Sequence, residues 1–144
     1  MVRVVTSKTV DVPRGQVFSS IKEIDKLPTL FPDKYKSFKV IERLDNHILT
    51  EEIVSISGKE IRQKVKHTLE PDRMLRSEVI EGDTKGTILI IELNPKSDSI
   101  TEIKVDADLK YGKIGAMLGI FAKHKIKNEM DKLIDQLSKN NSRS

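Results

Sequence analysis

The chain has 144 residues, a net charge of +4, and 33% charged against 37% hydrophobic residues, which is the composition of one globular domain and not of a disordered segment. It contains no cysteine, which excludes disulfides, thiolate catalysis and cysteine-ligated zinc and fits a reducing compartment. No apolar run reaches the roughly 20 residues of a membrane span, and "MVRVVTSKTV" has no apolar leader, so the expectation is a soluble, cytoplasmic protein.

In chain order, "VRVVTSKTVDV" is β-branched and predicts a strand. Pro13 follows, placed to open a helix because its missing N–H costs nothing in a first turn. Val17, Phe18, Ile21 and Ile24 recur at helical spacing and predict a short amphipathic helix. "LPTLFPDKY" holds two prolines and predicts only a short helical turn or a loop.

Six strands are predicted next. "SFKVIERL" and "ILTEEIVSIS" flank a turn at Asp45-Asn46-His47, and Gly58-Lys59 turns the chain again. "EIRQKVKHTL" alternates, with Ile61, Gln63, Val65, His67 and Leu69 on one face and Arg62, Lys64, Lys66 and Thr68 on the other. "MLRSEVIE" and "GTILIIEL" join through Gly82-Asp83. "ITEIKVDADLK" sets Ile103, Val105, Ala107 and Leu109 inward and Glu102, Lys104, Asp106 and Asp108 outward.

The remaining segment predicts a long helix with two apolar stripes. Ile114, Met117, Leu118 and Phe121 form one, and Ile126, Met130, Leu133, Ile134 and Leu137 the other, about 140° away around the axis. The first stripe is interrupted by Gly115 and Gly119, so Ile114 to Ala122 is expected to be a mobile door to a cavity. The basic cluster Lys123, His124, Lys125 and Lys127 would then meet anionic lipid headgroups. A kinked helix with no gating role is the alternative.

The expected architecture is α+β: a seven-stranded antiparallel curved sheet wrapped around a long C-terminal helix, with two short helices after the first strand. One domain spans 1–138, and 139–144 form a frayed tail. This order, carried by "VDVPRGQVFSSIKEIDKLPTLFP", "LEPDRMLRSEVIEGDTKGTILIIEL" and the final helix, resembles the helix-grip fold of the START-like superfamily, with its polyketide cyclase/dehydrase and lipid-transport members. "LPTLFPDKYKSFKVIER" is similar to the coenzyme-Q-binding branch, although the tryptophans common there are missing. The resemblance implies a hydrophobic ligand in a cavity between sheet and helix, and it implies no cofactor.

Within such a cavity, Gln63 and His67 are candidates to hydrogen-bond a polar group of the ligand, with His67 also a candidate general base. A core histidine satisfied by protein partners is the competing reading. Arg76 and Glu78 share one face of their strand. If it points inward they would orient a headgroup, and if Leu75, Ser77 and Val79 point inward instead, the two are a surface ion pair. Val65, Leu69, Ile103, Val105, Met117, Phe121 and Met130 would supply the apolar contacts. Glu51 and Glu52 face opposite sides of one strand and so cannot act as a paired acid and base. The histidine spacing gives no metal site, and no Gly-rich phosphate loop or Ser-centred elbow occurs.

Ile88 and Ile90 on one face of "GTILIIEL", against Leu89, Ile91 and Leu93 on the other, suggest a homodimer through the outer sheet face. Three functions compete: binding or transport of a lipid, quinone or polyketide-like molecule; a cyclase, dehydrase or hydrolase in the same cavity; and protein or nucleic-acid binding through Arg62, Lys64 and Lys66.

Overall fold

The computed structural model describes residues 2–30, 32–56, 58–110, 127–128 and 130–138. Strand β1 (Val2–Val10) leads through Pro13 into helix α1 (Arg14–Ile21), a 3-10 turn (Ile24–Lys26) and the single turn α2 (Leu27–Leu30). Pro13 is the N-cap and not the first helical residue; its carbonyl accepts from Gln16 at 3.0 Å and Val17 at 3.2 Å. Five hairpins then connect β2 (Tyr35–Arg43), β3 (His47–Ile56), β4 (Lys59–Glu70), β5 (Met74–Gly82), β6 (Ile88–Pro95) and β7 (Thr101–Leu109).

The sheet has seven strands in the order β1-β7-β6-β5-β4-β3-β2, and every neighbouring pair is antiparallel. The six meander strands keep chain order because short turns leave a strand no other partner. β1 joins at the far edge, so α1 and α2 carry the chain from one edge of the sheet to the other.

Alternation decides the faces. In β7, Thr101, Ile103, Val105 and Ala107 are buried while Glu102, Lys104 and Asp106 are half-exposed, as the two-residue period requires. In β5, Leu75, Ser77 and Val79 are the buried set.

The C-terminal helix, α3, is described at residues 130–138. It lays Met130, Ile134 and Leu137 against a core of Val4, Phe18, Leu93, Ile103 and Val105 among others. Ile103, Val105 and Ile134 are wholly buried, each contributing about 1.5–3 kcal/mol of transfer free energy. Two polar contacts fix the helix over β1: Thr6 Oγ1 donates to Asp131 Oδ1 at 2.9 Å, and Lys8 Nζ lies 3.3 Å from Asp135 Oδ1. The expected door, Ile114 to Ala122, lies outside the described residues, as do Met117, Phe121 and Lys123 to Lys125.

Candidate functional site

Ile61, Val65 and Val79 are buried on the inner face too, but they fall outside the core cluster, toward the start of β4 and the end of β5. Between them and the core runs a chain of buried polar side chains. Thr50, Glu52, His67 and Ser77 are 0%, 4%, 4% and 9% exposed.

The register explains the grouping. Ser77 stands directly opposite His67, Glu52 opposite Gln63, and Thr50 one inward position before Glu52 on β3. Thr50 Oγ1 donates to Glu52 Oε2 at 2.6 Å, a short charge-assisted bond. Gln63 Nε2 donates to Glu52 Oε1 at 3.0 Å, and Thr84 Oγ1 donates to Gln63 Oε1 at 3.3 Å.

These directions assign the His67 tautomer. The one Thr50 hydroxyl proton is committed to the Glu52 carboxylate, so Thr50 Oγ1 accepts from His67 Nε2, 3.0 Å away. Nδ1 is then the acceptor, served by the Ser77 hydroxyl at 2.7 Å. His67 Nε2 is also 3.5 Å from Glu52 Oε2. The chain runs Ser77 to His67 to Thr50 to Glu52, with Glu52 as its final acceptor.

Two aromatic rings border the carboxylate. Phe38 is the direct cross-strand partner of Glu52, and Tyr35 meets Phe38 edge-to-face with ring centres 5.6 Å apart. Burial, and secondarily the charge of Glu52, push the Tyr35 phenol well above its ordinary range.

The expected site residues divide. Gln63 and His67 come together, flanked by buried Val65 and half-buried Leu69 on the same face. Both ring nitrogens of His67 and both ends of the Gln63 amide are taken up by protein partners. Ile103, Val105 and Met130 lie in the packed core. Arg76 and Glu78 do not join them: Arg76 Nη1 donates to Glu78 Oε1 at 3.0 Å on the outer face, both side chains 35% exposed. Burial of Leu75, Ser77 and Val79 overturns the inward placement, since neighbours on a strand cannot share a face.

The sequence pattern does not single out Thr50, Glu52 or Ser77 as site residues. Glu52 does carry a signal, because a carboxylate two positions from Thr50 and from Val54 shares their face, which the pattern of β3 makes the inner one.

The outer face is charged in both signs. The register sets Lys64 between Glu51 and Glu81 and Lys66 opposite Glu78, and Lys64 Nζ is 3.4 Å from Glu81 Oε2. Lys64 on this face is therefore flanked by carboxylates on both sides, whereas Arg62 stands opposite Ile53. An open cleft of about 340 Å³ lies at these rungs, with Lys39, Lys64 and Glu81 in its wall and Glu52 and Gln63 also lining it. It is a charged cleft, unlike the apolar cavity expected between sheet and helix. Ile88 and Ile90 are half-buried on the outer face, where Arg76, Glu78, Asp106 and Asp108 are their neighbours across the ladder.

No family model matches the chain, and no curated protein does. Solved structures match it closely in shape. A protein of Thermus thermophilus superposes with a TM-score of 0.83 at 14% identity, covering 99% of this chain and 98% of its own. The Zhui aromatase/cyclase of Streptomyces sp. R1128 gives 0.82 at 12% identity over 99% and 94%. A START superfamily protein of Mycobacterium smegmatis gives 0.77 at 14% identity over 98% and 97%. At these identities the likeness is one of fold, and with its seven-stranded antiparallel sheet, short helices after β1 and a C-terminal helix, the chain has the START-like helix-grip fold.

Proposed function

We propose that the protein is a cytoplasmic binder of a hydrophobic small molecule, of lipid, quinone or polyketide-like kind, held against the inner face of the sheet beside the C-terminal helix. One observation carries the reading. The polar chain Glu52–Thr50–His67–Ser77 is buried on the inner face between the core cluster and the apolar group Ile61, Val65 and Val79. A few placed polar groups on an apolar wall are what orient an apolar ligand. With His67 and Gln63 committed, that role falls to the Ser77 and Glu52 oxygens, which keep acceptor capacity.

Native mass spectrometry of the purified protein, followed by solvent extraction, tests the reading. A retained apolar molecule is the expected result. An empty protein that also takes up no fluorescent fatty acid or quinone would overturn it.

The order hydroxyl, imidazole, hydroxyl, carboxylate supports a second reading, acid–base catalysis in the same place. The Zhui aromatase/cyclase shares the fold at 12% identity. Under that reading His67→Gln abolishes turnover of a bound compound while leaving its affinity within about threefold.

A further inference from the structure

Among the described residues Glu52 is a buried carboxylate with no lysine or arginine partner. Its side chain is 3% exposed, and its bonded partners are the hydroxyl of Thr50 and the amide of Gln63, both uncharged. Among the described residues its basic neighbour is His67, whose Nε2 lies 3.5 Å from Oε2. Buried charges are ordinarily paired, because desolvation of a lone ion outweighs what neutral hydrogen bonds return.

The surroundings match a ligand that brings the missing charge. Oε1 accepts one bond, from Gln63, and a carboxylate oxygen accommodates two. Phe38 and Tyr35 are half-buried beside the carboxylate, and aromatic ring faces attract ammonium groups.

We infer that the ligand is an apolar molecule bearing a protonated amine, whose ammonium group pairs with Glu52 beside the rings of Tyr35 and Phe38. This rests on the binding function proposed above and narrows it from any hydrophobic compound to an organic cation. Lipid acids are disfavoured, because a second carboxylate beside Glu52 is repelled.

Titration calorimetry of the full chain with decylamine, decanol and decanoate separates the possibilities. At neutral pH an alkylamine is protonated, so the three probes share one tail and differ in head charge. Decylamine is expected to bind at least about tenfold more tightly than decanol, with decanoate weakest. Glu52→Gln should abolish the preference of amine over alcohol, whereas Glu51→Gln, one residue along and on the opposite face, should preserve it. If Glu52→Gln does not fold, Phe38→Leu provides the second variant and should reduce the same preference. Equal binding of decylamine and decanol overturns the inference while leaving the hydrophobic site standing. Binding of none of the three overturns the site itself and the inference with it.

Discussion

Ser77 stands directly across the β4–β5 ladder from His67, and its hydroxyl lies 2.7 Å from the ring Nδ1. Both residues are buried, so neither can exchange this bond for one to water. The pair therefore reports on the whole polar chain. Ser77→Ala leaves Nδ1 a buried acceptor without a donor and should cost about 1–3 kcal/mol in urea unfolding. A loss below about 0.5 kcal/mol would mean that the ring has turned or found another partner.

Thr50 serves two neighbours through one hydroxyl, donating to Glu52 and accepting from His67. Thr50→Val keeps the shape and removes both bonds. We expect a loss of about 3 kcal/mol, larger than for Ser77→Ala, because one partner is a buried carboxylate. Neutralising that carboxylate should recover part of the loss. A double-mutant cycle of Thr50→Val with Glu52→Gln should therefore show coupling of about 1 kcal/mol or more.

Two turn glycines should respond differently to the same change. Gly82 has φ +118°, and a Cβ there would lie 2.3 Å from the Arg62 carbonyl oxygen, at the bulged end of the β4–β5 pairing. Gly58 has φ +81° with nothing within 4 Å of its would-be Cβ. Gly58→Ala should cost about 1 kcal/mol from the backbone alone. Gly82→Ala should cost about 3 kcal/mol or more, since strand backbone must shift as well. It should also disturb Gln63, which is opposite Gly82, and so weaken the amide bond to Glu52.

Ile134 on α3 is wholly buried, whereas Ile41 on β2 is 43% exposed. Ile134→Ala should cost about 2–5 kcal/mol through lost transfer energy and a cavity. Ile41→Ala should stay within about 0.5 kcal/mol. Thermal melts of the two variants check the contrast, and similar losses would mean that the helix is not docked through this stripe.

The edge strand β1 carries a pH-sensitive contact. Arg3 donates to both carboxylate oxygens of Asp106, at 3.1 and 2.7 Å, and this bond holds Asp106 below the usual 3.8. A carboxyl whose pKa is lower folded than unfolded stabilises the fold above the unfolded value. That contribution fades as pH falls through the folded value. Wild type should therefore keep a constant advantage over Asp106→Asn from neutral pH down to about pH 4, then lose it on further acidification. An advantage that grows on acidification would contradict the assignment.

The sequence by itself determined the strands, their order and most inward faces. Alternation in "EIRQKVKHTL" and "ITEIKVDADLK" is a consequence of backbone geometry two residues long, so it can be read locally. β5 was harder, because Met74 and Ile80 compete with Leu75 and Val79 for the inner face, and only burial settled that Arg76 and Glu78 point outward. Short turns in the meander left the strand order little freedom, and so the fold was legible as well.

The site was legible only in part. Gln63 and His67 could be placed on one face, but not their partners. Ser77 reaches His67 through the β4–β5 register, and Glu52 reaches Gln63 through the β3–β4 register. A register depends on turn lengths and on bulges such as the one beside Val65, and a shift of one residue turns every side chain to the opposite face. Only the tertiary structure decided that His67 is held by the protein on both sides and that Glu52 is buried with no lysine or arginine partner among the described residues. Those two facts arise between strands, where the sequence pattern of any one strand carries no information.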